Sequence, residues 1–410
     1  MQKILLLIAS LFYFNFILAE NEIKSWQGIH ETPLSRLEQQ FAEPPVEFAN
    51  HVIWGWEGKM DKKTICNDLD SIKKKGFRAV IFEAGYKLPF KYLSEEWFKA
   101  IRTGVLEAKK RGMKVWIIDE GKYPSGFAGG KFSQERPDLR MQALVIGDTI
   151  QIKRGEVMTN HKIAPEIISA VAVSTSGAPN RTVAINNGEI SFNAGLDDWK
   201  ILLVKSDFRT AVTRAVNNPN GGKDATNSLC DYLNPVAVQQ FIDWTHEQYK
   251  KYLGKELGTT VLGFRGDEPD YAHLPWTPSI VQTFKDTKGY DPTPYLASFF
   301  TTSPTIQEQR VKADYWDVWS SLFATHFFKL QADWCAANGV AHITHLNKEH
   351  EMPACVKAEG DYFRNLSKVQ IPGVDAIWNQ IWPGTLNDFP KLASSVAHVY
   401  GKPRAFSESF

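Results

Sequence analysis

Acidic side chains recur where apolar runs end. Glu83 follows FRAVIF, Asp119-Glu120 follow MKVWII, and Asp267-Glu268-Pro269-Asp270 follow TVLGF. Glu349 lies just past His345, which closes the run beginning at Ala341, and Glu408 follows residues 404–407. Random surface acids would fall mainly on helices, so this placement is informative. Carboxylates gathered in one cleft suit hydrolysis of a glycosidic bond. One acid protonates the leaving oxygen, and a second carboxylate activates water or attacks the sugar. Glu268 and Glu408 are the expected pair. Glu83, Asp119, Glu120, Asp267, His345 and Glu349 are expected to contact substrate around them. Trp54, Trp56 and Trp378, at or just past two of the apolar runs, are expected to stack on sugar faces. Acids clustered without cysteine favour a hard cation such as calcium over zinc. His345, Glu349 and His350 lack the H-E-x-x-H spacing of a zinc helix.

The elements that must position these groups alternate. A strand at 52–56 is followed by an amphipathic helix at 64–75, with Ile65, Leu69 and Ile72 on one face and Gly76 as the stop. Strand two at 77–82 is followed by a helix opened by Ser94. That helix has acids in its first turn and Lys109, Lys110 and Arg111 in its last, which match the helix dipole. Strand three spans 113–118. The pattern then changes to short alternating stretches split by turn signals such as Asn186-Asn187-Gly188. The βα rhythm resumes with Asn234-Pro235 opening a helix, strand four at 260–264, strand five at 341–345, strand six at 374–378 and strand seven at 404–407.

The expected fold class is therefore α/β: a TIM-type (β/α)8 barrel with seven βα steps and a small antiparallel β domain inserted after strand three. The expected divisions are 1–19 as export signal, 20–137 as strands one to three, 138–226 as the insertion and 227–410 as strands four to seven. A doubly wound sheet has less support, because no G-x-G-x-x-G follows the first strand. In a barrel the chemistry sits at the C-terminal ends of the strands, where the acids fall.

Composition narrows the function classes. Across 410 residues, Lys+Arg 47 against Asp+Glu 46 leaves a net charge of +1, which argues against a nucleic-acid binder working by bulk charge. Residues 1–19 combine Lys3, an apolar stretch and Ala19, and read as an export signal to the periplasm or beyond. No later run is long and apolar enough for a membrane helix. Cys66, Cys230, Cys335 and Cys355 are scattered, without zinc spacing, and are expected as free thiols. The 12% aromatic content, with Trp 13, fits either sugar stacking or a large core.

Several stretches together resemble glycoside hydrolase family 106, the α-L-rhamnosidases and their relatives. They are VWIIDEGKYPSGFAGG from Val115, GFRGDEPDY from Gly263, WTPSIVQTFKDTKGYDPTPYL from Trp276, THLNKE from Thr344, GDYFRNLSKVQIPGVD from Gly360, and GKPRAFSESF from Gly401. Thr344 stands where the family pattern has Gly. The resemblance implies an exported bacterial enzyme that removes terminal α-L-rhamnose from oligo- or polysaccharide by an inverting route, with calcium assisting sugar binding. It places the catalytic glutamates on Glu268, as general acid, and Glu408, as general base. A retaining enzyme with Glu408 as nucleophile is the alternative. So are a carbohydrate-binding protein that does not cleave and an inactive fragment, since family members continue into an eighth strand and further β domains.

Overall fold

The computed structural model describes residues 33–44, 50–214, 223–271, 273–377, 380–381, 383–384 and 387–409. The proposed export signal and Trp378 lie outside the described residues. Seven strands form one parallel sheet: β1 (His51–Trp56), β2 (Ala79–Ala84), β3 (Lys114–Ile118), β13 (Val261–Asp267), β15 (Ala341–His345), β16 (Ile371–Asp375) and β17 (Phe406–Glu408). They are hydrogen-bonded in that order, and each neighbouring pair is parallel. Arg265 of β13 touches Glu408 of β17, although β15 and β16 lie between those strands. Three strand spacings would separate them by about 14 Å on a flat sheet, so the sheet curls.

Alternation along the strands divides the core. Ile81, Trp116, Ile118, Leu262, Ala341, Ile343 and Ile371 pack together inside the curl, with Phe406 against them. Val80, Phe82, Val115, Ile117 and Phe264 point the other way, into the helix layer. Gly263 makes the inner packing fit: a Cβ there would collide with the Ala341 carbonyl and the Trp116 ring.

The helices form for local reasons the sequence displays. Asp61 caps α1 (Lys62–Lys74) by accepting from Thr64 N at 2.9 Å, and Ser94 caps α2 (Glu95–Lys110) by accepting from Trp97 N. Asn234 caps α3 (Pro235–Trp244), with Pro235 at its first position. The backbone leaves helical geometry at Thr245, so the helix opened by Asn234-Pro235 is broken there, and α4 (His246–Leu253) follows. Then come α5 (Ile280–Lys288) and α6 (Ile306–Leu322), the latter opened by a Thr305–Glu308 capping box. A π-helical turn at Phe323–Phe328 leads into α7 (Lys329–Ala337).

Between β3 and β13 the chain forms antiparallel sheets. β4 (Gln142–Ile152), β6 (Ile167–Ser174), β7 (Arg181–Thr182) and β10 (Trp199–Phe208) join β14 (Pro275–Trp276) in one, in the order β14-β4-β10-β6-β7. β5 (Val157–Lys162), β8 (Ile185–Asn186) and β9 (Glu189–Asn193) form another, and β11 (Thr213–Arg214) pairs with β12 (Lys223–Asp224). Ile201 and Leu203 face a small core with Phe192 and Trp199, whereas Leu202 and Val204 face the helices. Asn187 and Gly188 both take positive φ (51° and 76°) between β8 and β9, as a tight hairpin requires.

Two strand boundaries differ from expectation in ways that matter for the site. Strand six is Ile371–Asp375, three residues earlier than the apolar run around Ile377 suggested. Its end is therefore Asp375. Strand two runs to Ala84, so Glu83 lies within it.

Candidate active site

At the C-terminal ends of β13, β15, β16 and β17 the inward side chains are Arg265, Asp267, His345, Asp375 and Glu408, with Glu268 one residue past β13. His345 is the hub. Its Nε2 lies 3.6 Å from Asp267 Oδ1, 3.8 Å from Glu268 Oε1 and 3.6 Å from Glu408 Oε2. Its Nδ1 lies 3.5 Å from Arg265 Nη2. Arg265 has only N–H groups to offer, so Nδ1 accepts and Nε2 carries the hydrogen that faces the carboxylates. Burial, helped by the Arg265 charge, holds the His345 imidazole down at about 3, so the ring is neutral.

The two glutamates sit in unlike surroundings. Glu408 is ion-paired to Arg265, which is itself 2% exposed. Burial raises the Glu408 carboxyl to about 7, and Arg265 pulls against that rise. Glu268 has no cation against it among the described ion pairs, only His345. Burial, then the charges of Asp267, Asp375, Glu349 and Glu408, push its carboxyl well above the ordinary range. Its backbone takes φ 38°, a left-handed conformation that costs a non-glycine residue energy and is found where surrounding structure enforces it.

That enforcement comes from the loop after β3. Asp119 accepts from Ser125 Oγ at 2.6 Å, and Ser125 Oγ accepts from Asp267 N at 2.7 Å. Ser125 N donates to Asp267 O at 2.8 Å. The loop is thus stitched to the residue preceding Glu268. Glu120 holds the loop from within, accepting from Gly121 N at 2.6 Å, Gly129 N at 3.0 Å and Ala128 N. Across the mouth, Glu349 Oε1 accepts from Leu346 N at 2.8 Å and from Asp375 N at 3.4 Å. Lys122 pairs with Glu83 at 2.9 Å on the flank of the site.

The expected site residues therefore separate into groups. Glu268, Glu408, Asp267 and His345 come together, and Glu83 lies beside them through Lys122. Glu120 and Glu349 are buried and accept from the chain's own backbone, so the expectation that they contact substrate is corrected to a positioning role, whereas Asp119, also buried, accepts from Ser125 through Oδ1 and has no partner at Oδ2. Trp54 and Trp56 are also corrected. They share the face of Phe82, their rings 5.4 Å and 4.9 Å from it, and Trp56 is fully buried against Trp97. They pack in the helix layer, on the side away from the acids. Trp378 lies outside the described residues. Sequence reading missed Arg265 and Asp375. The available signals were a cation inside an otherwise apolar strand and an acid at the true end of β16. Thr344 does not enter the site: it faces opposite to His345, and its side chain fills the space beside Gly266, where a Cβ would come within 2.8 Å of it.

Comparison with known proteins follows the same lines. A family model described as alpha-L-rhamnosidase matches residues 156–410. A curated protein from Formosa agariphila named "Putative beta-glucuronidase" is 24% identical over 432 residues, covering 92% of this chain and 35% of that protein. A rhamnosidase of known structure from Novosphingobium sp. PP1Y superimposes with a TM-score of 0.66 at 15% identity, over 92% of this chain and 53% of its own. At that identity the likeness speaks for the fold alone. The chain spans about a third of the curated relative and about half of the solved structure.

Proposed function

Because this chain belongs to the alpha-L-rhamnosidase family of glycoside hydrolases, we propose that it hydrolyses a terminal α-L-rhamnoside or a closely related glycoside, with Glu268 as general acid and Glu408 as general base. The observation that carries this reading is the unequal environment of the two glutamates. Glu268, buried among acids, keeps a proton to give to the leaving oxygen. Glu408, held by Arg265, ionises more readily and accepts a proton from water. Two carboxyl groups with their affinities pushed apart are what the reaction needs. The neutral His345 lies between them with its Nε2–H facing both, 3.8 Å from Glu268 and 3.6 Å from Glu408.

Inversion and retention differ in whether water or Glu408 itself attacks the sugar. An imidazole nitrogen within 4 Å of both carboxylates holds them close enough for either, and we favour inversion on the family resemblance. Calcium belongs to the same proposal. Asp375 Oδ1 is buried without a hydrogen-bond partner, and Asp267 beside it raises its carboxyl, after burial, to about 6. That unpartnered oxygen, with the Asp267 charge beside it, fits a hard cation held by Asp375 and Asp267. When bound, that ion would neutralise them and offer coordination to sugar hydroxyls. We further infer that the seven-stranded sheet is the larger part of a (β/α)8 barrel, that the strands from β4 to β10 are an insertion in it, and that the apolar N-terminus directs export.

The test is hydrolysis of an aryl α-L-rhamnoside followed by proton NMR, which reads the anomer first released. Release of the β anomer supports inversion, and release of the α anomer assigns Glu408 as nucleophile. An aryl β-D-glucuronide is the comparison substrate, chosen for the curated relative's name. Turnover that survives Glu268→Gln would remove the assignment.

A further inference from the structure

The strand that supplies His345 also supplies His342, and the two face opposite sides of the sheet. His345 points at the carboxylates; His342 points into the helix layer. There it meets His246, the first residue of α4, and Cys335 of α7. All three are buried, at 1%, 0% and 0% exposure. Each offers a ring nitrogen or the thiol sulfur, and the three atoms lie within 4.8 Å of one another.

Two ring nitrogens in this set, His246 Nε2 and His342 Nδ1, have no hydrogen-bond partner. Buried polar atoms left without partners are costly and call for a cause. For His246 the tautomer follows from its neighbours. Thr245 Oγ1 donates its hydrogen to Phe241 O at 2.7 Å and lies 2.9 Å from His246 Nδ1. The hydroxyl is therefore the acceptor there, Nδ1 carries the hydrogen, and Nε2 keeps a free lone pair. A second bond that fixes the ring and its tautomer is the usual support of a metal-binding histidine.

We propose that His246, Cys335 and His342 bind a soft monovalent metal ion of the copper(I) class. Thiolate sulfur and imidazole nitrogen are the donors such an ion selects. The charge count also favours it. One thiolate and two neutral imidazoles carry a single negative charge, so a monovalent ion makes the assembly neutral. Neutrality matters because the surroundings are aromatic: the His246 ring lies 4.2 Å from Phe264, 5.1 Å from Trp334 and 6.1 Å from Phe241. A divalent ion would leave a net charge in that dry setting. Zinc in a structural site also takes four ligands, and among the described residues this set has three. Binding forms a copper–sulfur bond and breaks the Cys335 S–H bond. The proton leaves to solvent, and the metal stays in its +1 state. The ion would tie the α3–α4 junction, α7 and β15 together behind the site.

The full chain, folded anaerobically with copper(I) or with zinc(II) and then desalted, tests this by metal content and melting temperature. The expected result is copper retained at about one ion per chain, with a higher melting temperature than the metal-free chain. Cys335→Ala and His342→Gln should each cut copper retention at least about tenfold, while Cys66→Ser retains it. Circular dichroism and the melt of the metal-free variants report whether they fold, and either folded variant suffices. No retained copper, equal retention by Cys335→Ala, or zinc retained in preference to copper would each overturn the proposal.

Discussion

Arg265 is the residue that makes the two glutamates differ. It is buried, it reaches Glu408 across two intervening strands, and its guanidinium opposes the rise that burial imposes on that carboxyl. Glu268 makes no ion pair with Arg265 among the described residues, and burial together with neighbouring acids dominates its surroundings. The roles proposed for the pair predict distinct mutant behaviour. Glu268→Gln removes a transferable proton and should lower kcat on an alkyl rhamnoside by about 10²–10⁴-fold. On an aryl rhamnoside with an acidic phenol as leaving group the loss should be much smaller, because that oxygen departs without protonation. Equal losses on both substrates would detach Glu268 from the acid role. Arg265→Met should act on the other limb. The removed cation lowers the Glu408 carboxyl in the native chain, so its loss lets that carboxyl rise above about 7. A pH profile of kcat/KM should then show its acidic limb moved to higher pH, because Glu408 must be ionised to accept a proton. An unmoved limb would assign that ionisation to another group.

The element that decides whether Glu268 is held correctly is the loop after β3. Its backbone N–H groups at Gly121, Ala128 and Gly129 converge on the Glu120 carboxyl, and its Ser125 is bonded to Asp267 from both backbone and side chain. Glu120→Gln keeps the shape but puts an amide NH₂ against converging N–H donors. Above about pH 8, where the Glu120 carboxyl is ionised, urea denaturation should show a loss of about 1–3 kcal/mol, and kcat should fall although Glu120 bonds only to its own loop. Such a loop is invisible to periodicity, which explains what the sequence did and did not disclose. The βα rhythm, the helix caps and the Asn187-Gly188 hairpin are local patterns, and they read correctly. Glu268 and Glu408 were picked out by their place at strand ends, and the structure brings both against His345. Asp375 was not, because Ile377 prolonged the apolar run and Pro372 lies inside the true strand. Arg265 was hidden inside a strand and acquires its partner only through the curl. Trp54 and Trp56 were assigned to sugar on residue type, whereas their parity with Phe82 sends them into the helix layer. Both faces of β15 carry histidine, and sequence reading noticed only His345.

At the scale of the whole molecule, buried acids set how stability responds to pH. Burial holds the carboxyls of Asp119 and Asp231 up at about 7, and those of Glu120 and Glu349 at about 8. In the unfolded chain the same groups ionise near about 4. Below that range they are protonated in both states and contribute no pH dependence. Between about 4 and about 8 the folded chain binds protons that the unfolded chain has released. Stability from these four groups must therefore fall as pH rises through that window, and level off above it. Glu107 acts in the opposite sense: Lys110 and Arg111 hold its carboxyl down at about 2, so its contribution is lost only in strong acid. His342 and His345, buried, neutral and held down at about 3, act against the acids between about 3 and about 6.5, where only the unfolded chain protonates its histidines, so the acids act unopposed only above about 6.5. Thermal melts should show a midpoint lower at pH 8 than at about pH 6.5 by on the order of 5 °C or more. Asp231 offers a clean check, because it lies apart from the catalytic cluster and bonds to Thr277 Oγ1 at 2.7 Å and Leu233 N at 3.0 Å. Asp231→Asn removes one ionisation while preserving an acceptor, so the drop between about pH 6.5 and pH 8 should shrink. A midpoint that does not fall between about pH 6.5 and pH 8 would show that these acids are ionised in the folded chain.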